Sequence, residues 1–510
     1  MKRSIIKNLM TVLNCGVSRA VCFVSIFSAA KAAEKPRPNV LFLMVDEMRW
    51  DAMSCAGHPV VKTPNLDRLA ENSVRFSRAY SASPVCVPAR NSLFTSRYTP
   101  VHGVLSNKHN VNAGEIFLPS IFQYFGYKTA ISGKLHFQPK GPDYGFDEFY
   151  SYRNEGTQFE NSYDFFITQK YGDPVKNRYS RKPGSQIYAS DPLGRDYGEY
   201  AHDIADYETS WIGRYAVEFI RRQNTGRPWF LFTSFNRPHS PYVLPEPYFS
   251  MYRDKEIPLP EIPQEIINAR PGMPRNQQRQ HIANKDMLRD LTQSYLASIT
   301  FVDDQIGLIL NELKQRGMEE DTIIVFTSDH GNMLGERGRF FKSCMYDGSA
   351  RIPLIISVPE KWLPDIKPER NVQEIVELID IMPTLLDLAG LKNSVSGMQG
   401  ESLKELLCGN AKNWKNEAYS RLWEDMLVSG NYKYIYSSKE NRWEVYDLAA
   451  DPLEQNNLAG AAGFKEKISQ AKDKMNKRFS WKPGALCVDG MEMPEYAKIL
   501  RPKFSTESDD

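Results

Sequence analysis

Neither sign of charge is in excess here: 64 lysines and arginines stand against 62 aspartates and glutamates, a formal net charge of +2 over 510 residues. That balance excludes binding of nucleic acid or another polyanion through a global field, so any preference for anions must come from local clusters. Cysteine is sparse: Cys15, Cys22, Cys55, Cys86, Cys344, Cys408 and Cys487. The five from Cys55 onward have no paired spacing, which argues against a disulfide framework or zinc knuckle and leaves open a single bridge in an oxidising compartment. No apolar run reaches the length of a membrane span. Internal repeats and low-complexity tracts are also missing. What remains is an ordinary globular composition, 41% hydrophobic and 25% charged, long enough for one large domain with a smaller companion.

The N-terminus has the marks of an export leader. Cations at Lys2, Arg3, Lys7 and Arg19 precede an apolar run from Ala20 to Ala30, and Ala30-Lys31-Ala32 offers a small-x-small cleavage pattern. Residues 1–33 are therefore expected to be a signal peptide, and the mature protein to be periplasmic or secreted. Cys15 follows Leu13-Asn14, a poor match to a lipoprotein box.

The rest of the chain alternates between strand and helix patterns. Asn39 to Val45 is a continuous apolar run ending at Asp46-Glu47, as expected of a strand buried on both faces whose tip enters a site. Thr322 to Thr327 is similar and ends at Ser328-Asp329-His330-Gly331, and Trp229 to Phe235 and Ile352 to Val358 also read as strands. Thr63-Pro64 reads as a cap and first helical turn. Helical patterns run from Asp203 to Arg222, Asp286 to Arg316 and Val372 to Ala389. The expectation is an α/β fold with a large, mostly parallel central sheet flanked by helices, spanning residues 34–392. Tyr432 to Tyr436 and Trp443 to Leu448 then suggest a smaller C-terminal subdomain, residues 393–510, with an antiparallel sheet and a helix. Tyr150 to Arg195 reads as a long polar insertion near the site.

Polar residues gather just past the strand ends, where open α/β sheets place their ligands. Asp46, Glu47 and Asp329 offer hard oxygen donors suited to calcium or magnesium. Taken alone, Cys86 would read as a buried free thiol.

Its neighbours alter that reading. Cys86-Val87-Pro88-Ala89-Arg90 resembles the CxPxR signature of the type I sulfatases. Gly133-Lys134-Leu135-His136 resembles their GKxH element, Pro238-His239-Ser240-Pro241 their PHxP element, and Lys342 follows Asp329 at the family's spacing. The elements occur in family order, and Lys433-Tyr434 and Glu444-Val445-Tyr446-Asp447-Leu448 extend the likeness through most of the chain. The resemblance implies an alkaline phosphatase-like fold and the conversion of Cys86 to formylglycine by a formylglycine-generating or anaerobic sulfatase-maturating enzyme. The aldehyde hydrate so formed attacks sulfur through one hydroxyl and expels sulfate by collapse of the other.

The resemblance also implies one calcium ion held by Asp46, Glu47, residue 86, Asp329 and His330. Here Glu47 stands where the family usually has a second Asp, and His330 where it usually has Asn. Arg90 would steady the hydrate, Lys134 would bind sulfate, and His136 would take the hydrate's proton. His239 and Lys342 would contact sulfate and the leaving oxygen. His102 is read as a support for the helix that follows Cys86, and Arg153, Arg178, Arg181, Lys182 and Arg195 as candidate contacts to a charged saccharide.

The expected activity is hydrolysis of sulfate esters, on fragments of algal polysaccharides such as ulvan or of glycosaminoglycans. The alternatives are a choline-sulfatase or arylsulfatase-like enzyme for small molecules, a phosphonate or phosphate ester hydrolase, and an inactive saccharide-binding homologue.

Overall fold

Every residue from Val40 to Asp46 is buried, as a strand covered on both faces requires. The computed structural model describes residues 36–153, 155, 159–184, 197–224, 226–261 and 285–492, so the leader and Arg195 lie outside the described residues. Strand β1 (Asn39–Asp46) leads to helix α1 (Pro64–Glu71), β2 (Val74–Tyr80) and α2 (Cys86–Thr95). The chain continues through β3 (Lys128–Gly133), β4 (Glu148–Ser151), α3 (Glu208–Arg221) and β5 (Trp229–Pro238). Then come α4 (Lys285–Gln315), β6 (Thr322–Ser328), β7 (Arg351–Ser357), β8 (Arg370–Glu377) and α5 (Ile381–Leu388).

The strands lie in the order β8-β2-β7-β6-β1-β5-β3-β4. Pairing is parallel throughout except at β7, which runs antiparallel to both neighbours. Alternation along β1 divides the core in two. Leu41, Leu43 and Val45 pack with α3 and α4, whereas Val40, Phe42 and Met44 pack with α2 and α5. Phe94 of α2 meets Phe232 of β5 edge to face at 4.9 Å, the geometry that aromatic quadrupoles favour. In α3 the buried Trp211, Ile212, Ala216, Phe219 and Ile220 recur at helical spacing and form the stripe that covers the sheet.

Two expectations are corrected. Val372 to Ala389 is not one helix: β8 occupies its first part, and α5 starts only at Ile381. A register shift between Val372 and Ile375 adds residues to the strand, so its buried positions fall at helix-like spacing. Thr63 precedes α1 but makes no side-chain cap. Its Oγ1 instead accepts from the Ser54 amide at 2.9 Å and donates to Asp67 at 3.3 Å.

Four further strands, β9 (Glu417–Arg421), β10 (Asp425–Ser429), β11 (Tyr432–Ser437) and β12 (Arg442–Asp447), form an antiparallel sheet in that order. One face of it carries Leu427, Tyr434 and Val445 and packs on α6 (Phe464–Ser480). The other carries Met426, Val428, Ile435 and Tyr446 and packs on Met333, Met345 and Ala350, which bracket Lys342. Fully buried Lys433 of β11 pairs with Asp347 and, at 2.7 Å, with Glu454. The insertion carries a helix at Tyr163–Tyr171. Cys55, Cys86, Cys344, Cys408 and Cys487 are all free thiols. Among the described residues no helix is long and apolar enough to cross a membrane.

Gly133 closes β3 at φ 109°, and a Cβ there would lie 2.1 Å from the Ser234 carbonyl oxygen. The backbone bond from Lys134 N–H to that oxygen, 2.8 Å long, leaves no room to retreat. Gly133→Ala is expected to lower unfolding stability by about 3 kcal/mol, combining left-handed strain with overpacking. A urea titration showing less than about 1 kcal/mol would place this turn among the surface positions that tolerate change.

Candidate active site

Consecutive residues of a strand point to opposite faces, so Asp46 and Glu47 could not both face one site if β1 simply continued. Glu47 breaks the alternation by adopting φ 72°. Three bonds hold that turn: Glu47 N–H donates to Asp329 Oδ1 at 3.1 Å, Tyr295 Oη donates to the Glu47 carbonyl at 2.9 Å, and Arg49 N–H donates to Tyr295 Oη at 2.8 Å. Met48 N–H donates to Ser328 Oγ at 2.9 Å, which ties the same turn to the end of β6. Both carboxylates are thereby aimed inward and fully buried.

Cys86 is the first residue of α2, a helix in which all ten residues are buried. Its Sγ lies 3.1 Å from His330 Nε2, 3.1 Å from Lys342 Nζ and 3.6 Å from Asp46 Oδ1. One turn along the same face, the Arg90 guanidinium binds Asp329 Oδ2 at 2.8 Å and Asp46 Oδ2 at 3.3 Å. It also donates to the Lys134 carbonyl at 2.8 Å and Ser234 Oγ at 2.9 Å. Lys134 Nζ is 2.5 Å from Asp46 Oδ2. Lys342 Nζ is 3.1 Å from Glu47 Oε2, and His239 Nε2 lies 3.5 Å from that same oxygen. The structure therefore brings Cys86, Arg90, Lys134, His239, His330 and Lys342 together around Asp46, Glu47 and Asp329.

Electrostatics follow from this crowding. Burial alone would raise the pKa of Asp46, but Lys134, Lys342, His239 and Arg90 hold it well below the usual carboxylate range. Burial opposes charge on His330, yet Asp329 and Cys86 outweigh it and raise the ring to about 9. Lys342 is likewise raised by Cys86, Glu47 and Asp46 against its burial. His136 moves the other way: burial, Lys134 and Arg90 depress it well below its ordinary value and keep the ring neutral. His136 adopts φ 57°, and its buried Nδ1 has no hydrogen-bond partner among the described residues. Being neutral, the ring offers a lone pair, although the same burial and cations disfavour its protonated form.

The donor atoms fit a hard divalent cation in part. Ligand atoms of Asp46, Cys86, Asp329 and His330 all lie within 4.8 Å of one another, close to the span that two oxygens on opposite sides of one calcium would have. Replacing sulfur by oxygen at position 86 would make the set predominantly oxygen. Glu47 groups differently, with Asp46 and His239. Its Oε1 accepts from Asn332 Nδ2 at 2.9 Å, and its Oε2 faces Lys342.

Sequence reasoning missed Asn332, whose Oδ1 also accepts the amides of Leu334 and Phe341 and so shapes the loop carrying Lys342. It missed Glu155 too, which accepts the amides of Leu135 and His136 and fixes that strained turn. His102 bonds Ser92 Oγ at 2.8 Å, a support within α2 as expected. Among the insertion's cations, Arg178 pairs with Asp164 and the exposed Lys182 with Glu199, so each already has an acidic partner.

Residues 38–391 match the sulfatase family, and residues 335–480 match the family described as N-sulphoglucosamine sulphohydrolase, C-terminal. The chain is 32% identical over 465 residues to an arylsulfatase of Clostridium perfringens, covering 85% of this chain and 92% of the relative. It is 29% identical over 485 residues to an N-acetylglucosamine-6-O-sulfatase of Bacteroides thetaiotaomicron, covering 85% of each. In fold it resembles the crystal structure of a phosphonate monoester hydrolase of Agrobacterium radiobacter, with TM-score 0.73, 24% identity, and 87% and 95% of the two chains covered.

Arg90 is the counter-charge for two buried acids. Arg90→Met in the metal-free protein is expected to lower unfolding stability by about 3–5 kcal/mol, because Asp46 and Asp329 would face each other with less compensation. A urea titration of the variant in chelator, giving a loss below about 1 kcal/mol, would mean that the remaining cations suffice.

Proposed function

The chain belongs to the sulfatase family, matched over residues 38–391, and hydrolyses sulfate esters; we propose that its nucleophile is Cys86 after conversion to formylglycine, beside one calcium ion, and that its substrates are sulfated saccharides. The hydrate supplies the attacking hydroxyl and the cation supplies charge neutralisation. Asp46, Asp329, His330 and residue 86 are the groups that would hold the ion. Glu47 has the reach to join them but is engaged by Asn332 and Lys342. Maturation calls for a formylglycine-generating or anaerobic sulfatase-maturating enzyme as a partner.

The remaining work falls to the chain's own side chains. Arg90 orients residue 86 by fixing Asp46 and Asp329 on either side of it. Lys134 and Lys342 bind the sulfuryl oxygens in a water-poor pocket, where preorganised cations act most strongly. His239 Nε2, or Lys342 Nζ, gives a proton to the departing alcohol oxygen. His136, kept neutral by its surroundings, takes a proton from the residue 86 side chain. What carries the reading is the setting of Cys86 Sγ, with an ammonium and an imidazole each at 3.1 Å and a carboxylate at 3.6 Å, at the start of a buried helix. A structural thiol would not need such company.

The saccharide assignment rests on the N-acetylglucosamine-6-O-sulfatase relative. It is tested by measuring sulfate release from defined glycosaminoglycan and algal oligosaccharides beside nitrophenyl sulfate, choline sulfate and a phenylphosphonate ester. A saccharide sulfate is expected to show the highest kcat/KM. Faster turnover of choline or aryl sulfate would replace the substrate class, and faster turnover of the phosphonate would overturn the sulfate preference.

Two measurements test the site. After co-expression with a maturating enzyme, the tryptic peptide Ala79–Arg90 is expected to react with a hydrazide probe, and Cys86→Ala is expected to abolish sulfate release. An active preparation with unmodified thiol would refute the nucleophile. Chelation is expected to lower both activity and Tm, since a ligand present at 100 times its Kd stabilises the native state by about 2.7 kcal/mol. An unchanged Tm and rate would remove the metal.

A further inference from the structure

His239 meets the site from a sharp turn, and an ionic cluster lies directly beneath it. The turn follows Arg237, near the end of β5, whose guanidinium is fully buried. Arg237 Nε is 2.7 Å from Glu208 Oε1, and both side chains are wholly shielded from solvent. Arg237 Nη1 donates to the His239 carbonyl at 2.7 Å and to the Pro241 carbonyl. Between those two acceptors sits the Ser240 carbonyl, which lies 2.6 Å from His239 Nδ1. A carbonyl only accepts, so Nδ1 bears a hydrogen in either charge state, and Nε2, the atom turned toward Glu47, bears one to give only in the imidazolium form.

The cluster reaches well beyond the turn. Glu208 is the first residue of α3, where the positive end of the helix favours its charge. Its Oε2 accepts from Tyr179 Oη at 2.8 Å, and Tyr179 in turn bonds Tyr152. The guanidinium lies over the rings of Tyr179 and Tyr207, at 4.8 and 5.4 Å from their centroids. Asn236 donates to Tyr179 Oη at 3.2 Å. Tyr152 and Tyr179 belong to the insertion, so one network joins the end of β5, the start of α3 and the insertion to the backbone of His239.

A buried ion pair is a weak source of stability, since exchange for apolar groups of the same volume is often neutral or better, and the contacts of this one show what it orients. We infer that Arg237, seated on Glu208 and Tyr179, is a positioning residue that fixes the His239 imidazole where Nε2 meets the leaving-group oxygen. This rests on the reading of His239 as the group that serves that oxygen. Arg237 touches no reacting atom. It acts by holding the two carbonyls that flank the Ser240 carbonyl, and through them the plane and tautomer of the ring.

Leaving-group dependence separates this role from a merely structural one. An alcohol departs poorly without a proton, whereas nitrophenolate departs without help, so loss of aim at His239 should show only on the alcohol ester. The experiment compares Arg237→Lys, Tyr179→Phe, His239→Ala and the Arg237→Lys/His239→Ala double variant in the matured holoenzyme. The substrates are the best saccharide sulfate and nitrophenyl sulfate. Arg237→Lys is expected to lower kcat on the saccharide about 100-fold with KM little changed, and to lose less than about tenfold on nitrophenyl sulfate. Added to His239→Ala it should cost nothing further on the saccharide. Tyr179→Phe, which removes one bond to Glu208, should show the same selectivity at about threefold.

Equal losses on both substrates, or losses that add to those of His239→Ala, would overturn the inference. If Arg237→Lys does not fold, Tyr179→Phe decides by the same criterion. If His239→Ala itself affects both substrates alike, the reading of His239 fails, and the positioning role falls with it.

Discussion

Two carboxylates at the ends of neighbouring parallel strands, both sealed from solvent, repel each other and have little water to soften the repulsion. Asp46 and Asp329 tolerate this because the Arg90 guanidinium lies between them, bonding one at 3.3 Å and the other at 2.8 Å. Arg90 comes from the helix that Cys86 begins, so the same contact that settles the acids also fixes residue 86 against them. Its remaining donors hold the Lys134 carbonyl and Ser234, which brings in the end of β3 and the middle of β5. One planar cation thus sets the relation of four strands and a helix, a task for which a flexible ammonium would be poorly shaped.

Around that contact the charges nearly cancel. Asp46, Glu47 and Asp329 stand against Arg90, Lys134 and Lys342, linked by ion pairs across the pocket. A divalent cation would add two positive charges, and a bound sulfate ester, a monoanion, would offset one of them. Cation and ester should then each favour binding of the other.

The sheet was legible because its central strands are buried on both faces. Asn39–Val45 and Thr322–Thr327 announce themselves as unbroken apolar runs ending in acids. The edge was less so. In β8 the irregularity after Val372 pushes the next buried position to Ile375, and a bulged strand then reads like a helix. Site residues carried by short motifs were visible for the same reason that motifs are: their chemistry needs fixed neighbours. Arg237 and Glu208 left no such trace, since their partnership joins positions far apart in the chain and neither spacing nor composition marks it. Asn332 was within reach of sequence reasoning, two residues past His330. Its task is to shape backbone at Leu334 and Phe341, which no residue pattern expresses.

Under the proposed maturation of Cys86, its burial would set an order of events. The thiol is 1% exposed, and every residue of its helix is enclosed by segments from across the chain. Among these is the loop of Lys342, itself backed by the antiparallel sheet of residues 417–447. No second protein could grip a side chain so enclosed without undoing the fold. On the proposed formylglycine reading, maturation of Cys86 would therefore fall to the nascent or still unfolded chain, and a molecule that folded before it was modified would keep its thiol. The fraction of active molecules would then record a race between two clocks, one chemical and one conformational.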